Sequence, residues 1–176
     1  FIERGLDALN YACYQDARFL IAGTPSGVTL APEGGAHQSI STPLIGMAQD
    51  GLASFEPAFA AELAAIMGWS FDHMQREGEG TDPRTALPDA RGGAVYLRLT
   101  TRPIEQATLP PGFAQGAIDG AYWLRPPGPN CEVVIAYQGA IAPEAIAAAA
   151  RIAQGRRDVA VLAVTSADRL HAGWMA

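Results

Sequence analysis

RFLIAG, residues 18–23, stays apolar from Phe19 to Ala22 and stops at a glycine. A short unbroken apolar run ending at a turn residue reads as a strand buried on both faces, the habit of a parallel sheet covered by helices. Upstream, Ile2, Leu6, Leu9 and Cys13 recur at three- and four-residue spacing, which predicts an amphipathic helix with Glu3, Arg4 and Asp7 on its wetter side. Downstream, GVTLAPEGGAHQS (27–39) places Gly27, Gly34 and Gly35 within nine positions and then presents His37, one of three histidines in the chain. Glycine suits backbone that turns sharply or approaches something closely. In open α/β sheets ligands gather beyond the carboxyl ends of strands, so a Gly/His loop after a buried strand is a candidate site. A Gly-rich surface turn with an incidental histidine is the plain alternative.

The pattern continues along the chain. STPLIGMA predicts a short helix, LASF (52–55) a second buried strand, and Pro57 the first turn of a long helix. Its apolar face is Phe59, Leu63, Ile66, Met67, Phe71 and Met74, and it ends near Gly78. Trp69 and His73 read as packing groups. REGEGTDPRTALPDARGG reads as a surface loop and GAVYLRLT (93–100) as a strand. The Pro-, Gly- and Gln-rich segment from Arg102 to Gly120 reads as a linker. Beyond it YWLR, EVVIAYQ, a helix started by Pro143 and DVAVLAV (158–164) give strand, strand, helix, strand, hence a second parallel α/β unit.

Bulk properties narrow the function. The 176 residues are 49% hydrophobic, enough for a real core, and carry a net charge of -6. Nucleic acid and anionic membrane surfaces are poor partners for such a chain, because both select clustered Lys and Arg. No apolar run reaches the ~18–20 residues that span a bilayer. FIERGLDALN lacks a basic start and a cleavable apolar segment, so a cytoplasmic protein is expected. A helical pattern already running at Ile2 without an initiator Met suggests a chain cut from something longer. Cys13 and Cys131 stand alone and read as buried thiols.

Several chemistries fail on spacing. No GxGxxG or GxxxxGK followed by Ser or Thr occurs. GTPSG (23–27) has one residue too many for a nucleophile elbow, which leaves a Ser26/His37 hydrolase as a minor reading. One His and Glu33 lack a third ligand, so no metal site is expected in this chain. What remains is Glu33 and His37, four apart beyond a buried strand. Such a pair can orient and protonate a small polar substrate, histidine being the side chain that changes charge near neutral pH.

The order FLIAGTPSGVTLAPEGGAHQS, ASFEPAFAAELAAIM, VYLRLTTRP, VVIAYQGAIAPEAI and VLAVTSADRL resembles the thiamine diphosphate enzymes of the transketolase and homodimeric pyruvate dehydrogenase E1 type. The resemblance implies an α/β fold of parallel-sheet, three-layer units with helices on both faces. Residues 1–112 would be the later half of the pyrimidine-binding domain and residues 113–176 the start of the carboxy-terminal domain. It implies thiamine diphosphate and Mg²⁺ as cofactors, both bound mainly by a domain absent from this chain. It also implies a homodimer, a 2-oxo acid or ketose substrate, and a lipoyl acyltransferase as a further partner. By the same resemblance His37 meets the substrate and serves as the catalytic residue, Glu33 holds loop backbone beside the substrate, and Phe1 stacks on the cofactor's pyrimidine. Arg102, after its strand, offers a bidentate fork to a substrate carboxylate, against the alternative of a solvated arginine before Pro103. Gly34 stands where transketolases carry an aspartate that meets a sugar hydroxyl, and the loop is one residue shorter. Together with the E1-like LTTRP this makes a 2-oxo acid such as pyruvate the expected substrate. The leading expectation is therefore part of a 2-oxo acid dehydrogenase E1 component that decarboxylates and transfers an acyl group. The alternatives are a transketolase and a non-catalytic interaction domain keeping the fold.

Overall fold

The structure is a computed structural model and describes residues 2–25, 29, 32, 39, 41–155 and 158–175. Its first sheet has three parallel strands, β1 (Leu20–Gly23), β2 (Leu52–Phe55) and β3 (Ala94–Arg98), in the order β1-β3-β2. Central β3 is buried at every position, as a strand covered on both faces must be. Its alternate side chains feed two cores. Ala94 and Tyr96 pack with Leu52 of β2, with Leu9 and Cys13 of α1 (Leu6–Tyr14) and with Ile45 of α2 (Ile45–Ala48). Val95 and Leu97 pack with Phe55 and with Ile66 of α3 (Ala60–His73). Helix, sheet and helix thus form three layers.

The second sheet holds β4 (Ala121–Arg125), β5 (Cys131–Gln138) and β6 (Asp158–Val164) in the order β4-β6-β5. β5 and β6 are parallel and joined through α5 (Ala142–Gln154), the expected unit. β4 is antiparallel to β6. The physical reason is the connection: residues 126–130 are too short for the dozen or so residues of a parallel crossover, so the chain reverses. Buried β6 packs with Tyr122, Tyr137 and the small face Ala142, Ala145 and Ala149 of α5. Phe59, from the start of α3, sits in that same core. The packing of the second sheet therefore includes a residue of the first half of the chain.

Three local expectations are corrected. The stretch 102–120 is not all linker, because α4 (Phe113–Asp119) lies within it. Gly116 hides this helix from a composition reading and is needed by its packing: a Cβ there would stand 2.7 Å from Tyr122 Cβ. Pro57 precedes the Phe59 cap of α3 rather than occupying its first turn. Phe71, expected on the buried face, is 53% exposed, whereas the buried residues of α3 are Glu62, Ile66, Ser70 and His73. A final helix, α6 (Ala167–Met175), follows β6. Cys13 is buried and Cys131 half-buried, both as free thiols.

Candidate functional site

The three parallel strands end together at Gly23, Phe55 and Arg98. Two charged groups close these ends. Arg98 Nη1 donates to Glu56 Oε1 at 2.7 Å, with both side chains largely buried. Glu56 is held further by its backbone N–H, which donates to Thr165 O at 2.7 Å, and by its fit against Gly139. Gly139 has φ +59°, and a Cβ there would lie 2.6 Å from the Glu56 side chain. The floor beneath the strand ends is thus an ion pair clamped between the two sheets.

Beyond this floor the chain from β3 runs outward through Thr100 to Pro103 and lines an open cavity of about 270 Å³. Phe59, Leu63, Pro57, Pro103 and Ile104 give it apolar walls, and Thr100, Arg102 and Gln106 supply polar groups. The backbone donors that open α3 at this rim are already satisfied. The Ala58 and Phe59 N–H groups donate to Glu62 Oε2 at 2.7 and 2.9 Å, and the Ala60 N–H donates to Gln106 Oε1 at 2.9 Å. A glutamate reaching back from the third helical position is the reciprocal half of a capping box. Arg102 is the sole charged residue among the cavity's described lining residues. Its backbone N–H donates to Thr100 Oγ1, and its Nη2 meets Glu144 Oε1, in the first turn of α5, at 2.6 Å. The Arg102 guanidinium holds the Glu144 carboxyl below the usual carboxylate range.

Phe1, Ser26, Glu33 and His37 lie outside the described residues, but both flanks of residues 26–38 are described. The chain leaves β1 at Gly23, whose carbonyl accepts the Leu99 N–H at 2.8 Å. It returns at Ser39 and Ser41, whose hydroxyls both donate to Glu3 Oε1. These two donors hold the Glu3 carboxyl below its ordinary range. Glu3 follows Ile2 in the 3-10 turn that precedes α1. Glu3, Glu56 and Glu144 were not singled out by sequence, because each takes its role from partners distant in the chain. Among the described residues no group of three or more His, Cys, Asp and Glu is arranged to hold a metal ion, and no helix is long and apolar enough to cross a membrane.

Two further clusters are buried behind the site and join the halves of the molecule. Glu62, fully buried, accepts the Tyr122 hydroxyl at 2.6 Å, and burial with this carboxylate neighbour pushes the Tyr122 phenol up. Arg169 of α6 forks onto Asp89 at 2.8 and 2.7 Å and lies over the Trp69 and Phe55 rings. Trp69 also stacks on His73, at 4.3 Å between centroids. Burial, with Arg169, Arg76 and Arg18 nearby, pulls the His73 imidazole down to about 4. The packing roles read for Trp69 and His73 hold, whereas the stretch read as a surface loop contains Asp89, which is 8% exposed.

No protein-family profile matches the chain. A pyruvate dehydrogenase E1 component of Corynebacterium glutamicum is 28% identical over 122 residues, covering 68% of this chain and 12% of the relative. The transketolase of Campylobacter jejuni superposes with a TM-score of 0.75 at 14% identity, covering 97% of this chain and 24% of its own. A split-gene transketolase solved as an inactive beta4 tetramer gives 0.66 at 20% identity, over 93% of this chain and 45% of its own. The chain therefore has the fold of a transketolase portion and spans about an eighth of the length of the curated relative it matches.

Proposed function

With its sequence relative and its fold relatives both in the thiamine diphosphate-dependent transketolase and pyruvate dehydrogenase E1 family, we propose that this chain is part of a 2-oxo acid dehydrogenase E1 component acting on pyruvate. The observation that carries the reading is the 28% identity to an E1 component over 68% of the chain. Residues 1–112 belong to the pyrimidine-binding domain and residues 113–176 open the carboxy-terminal domain. The cofactor, when bound, supplies an electron sink for the pair released as the bond beside the 2-oxo carbon breaks. This chain's residues bind and orient. His37 donates a hydrogen bond to the reacting oxygen, Glu33 holds the backbone of its loop, and Phe1 stacks on the pyrimidine ring. Arg102, facing an open cavity with apolar walls, takes the substrate carboxylate in a planar fork. The diphosphate and Mg²⁺ ligands come from a region outside this chain. The protein works as a cytoplasmic homodimer that passes the acyl group to a lipoyl acyltransferase.

The second reading, transfer of a two-carbon ketol unit, is favoured by the transketolase folds. Loss of an aspartate at Gly34 weighs against a sugar substrate. The test is His37→Ala in the complete protein that contains this chain. Release of CO₂ from pyruvate is expected to fall by roughly 10²-fold or more, the usual contribution of a positioned proton donor. An unchanged rate removes His37 from the site, and activity on ketose phosphates but not pyruvate favours the second reading.

A further inference from the structure

Arg102 is not waiting with empty hands. Its Nη2 holds Glu144 Oε1 at 2.6 Å, and Glu144 belongs to α5, the helix packed on the other sheet. Glu144 stands in the first turn of that helix, where the backbone dipole favours a negative charge. The two side chains are 40% and 55% exposed. Exposed pairs of this kind contribute little, so the contact is strong enough to bias Arg102 and weak enough to be displaced. The cavity offers an incoming anion no ready substitute. The first N–H groups of α3 are occupied by Glu62 and Gln106, and Arg102 is the one cationic lining group described.

We propose that Glu144 is a built-in carboxylate competitor for Arg102, one that an incoming carboxylate must displace to reach the guanidinium. This rests on the reading of Arg102 as the carboxylate-binding residue. A ligand with a carboxylate replaces the Arg102–Glu144 pair by an equivalent pair and leaves Glu144 exposed to water, where its charge is readily solvated. A neutral ligand gains no pair with Arg102 and leaves the Arg102–Glu144 contact in place. The cavity, about 270 Å³ and walled by Phe59, Leu63 and Ile104, suits a small organic acid with a short apolar tail. Glu144 is thus a residue that sets the affinity for a carboxylate by acting through Arg102 rather than by touching the ligand.

The test compares Glu144→Gln, Arg102→Met and the double variant of the complete protein. Pyruvate binding is read by equilibrium dialysis without added cofactor, and KM and kcat for CO₂ release are read with cofactor. Glu144→Gln is expected to tighten pyruvate binding and lower KM by about two- to five-fold with kcat unchanged, the range an exposed pair allows. Arg102→Met should weaken binding and raise KM. The double variant should match Arg102→Met, because removing the competitor is useless once its target is gone. If Arg102→Met weakens binding while Glu144→Gln has no effect or raises KM, the competitor role is overturned and the reading of Arg102 stands. If Arg102→Met changes neither binding nor KM, both fall.

Discussion

The seam between the two sheets and the rim beyond their strand ends use the same residue types to opposite effect. In the seam Arg169 and Asp89 form a forked pair with the arginine 4% exposed, and Glu62 accepts from Tyr122 in full burial. At the rim Arg102 and Glu144 make a contact just as short but half in water. Burial separates the two. A charge removed from water must be paired continuously, because an uncompensated partner is expensive. A charge left in water can exchange one partner for another at little cost, which is what a binding group requires.

The seam also ties the two sheets together along the backbone. β2 is an edge strand, and unpaired edges are reactive. Here the β6–α6 junction covers it. Ser166 Oγ donates to Ser54 O, the Ser54 N–H donates to Asp168 Oδ2 at 2.9 Å, and Thr165 O accepts from Glu56.

The largest expected effect lies in this seam. Arg169→Ala leaves the Asp89 carboxylate buried without its fork and should lower the unfolding free energy by about 3–5 kcal/mol in chemical denaturation. Replacing both partners with apolar residues, Asp89→Leu with Arg169→Met, should recover most of the loss. A loss under about 1 kcal/mol in the single variant would break the contrast with the rim.

An intermediate effect concerns pH. Burial pushes the Asp168 carboxyl up from 3.8 to about 6, against the Ser54 N–H, Arg169 and His171, which all favour its charge. The native state therefore binds the extra proton, and stability from this group falls as pH rises through roughly 4–6. His73 behaves oppositely. Its pKa drops from 6.5 to about 4, so the unfolded chain binds the extra proton and stability falls as pH drops through the same window. The two nearly cancel, and the folded protein should show a shallow profile between these limits. Asp168→Asn removes one side of the balance. It should gain about 1–2 kcal/mol at pH 7, gain nothing below pH 4, and show a steep acid loss in denaturation midpoints. A variant with an unchanged profile would remove Asp168 from the account.

The smallest effect belongs to the rim: Glu144→Gln should leave the denaturation midpoint almost unchanged while changing pyruvate binding. A larger destabilisation would mean that the rim pair is structural.

What could be read from sequence follows from where the partners lie. β3 and α3 were legible because their apolar runs are local and long. The polar half of the buried face of α3 was not, since Ser70 bonds Ile66 O within the helix and Glu62 meets a tyrosine 60 positions away. Asp89 looked like loop because its partner Arg169 is 80 positions distant. α4 was obscured by Gly112 and Gly116, whose lack of a side chain serves a turn and a close approach. Arg102 was singled out from its place after a strand, and it lines the cavity beyond the strand ends. Its engagement by Glu144 was not legible, because that contact arises only when α5 packs back onto the other sheet. Phe1, Glu33 and His37 were read from sequence alone and lie outside the described residues.

The central claim is most directly tested by calorimetric titration of the complete protein with thiamine diphosphate and Mg²⁺, followed by measurement of CO₂ released from pyruvate. The account predicts saturable binding and cofactor-dependent CO₂ release. A protein that binds the cofactor poorly or not at all, or binds it and leaves pyruvate intact, would contradict it.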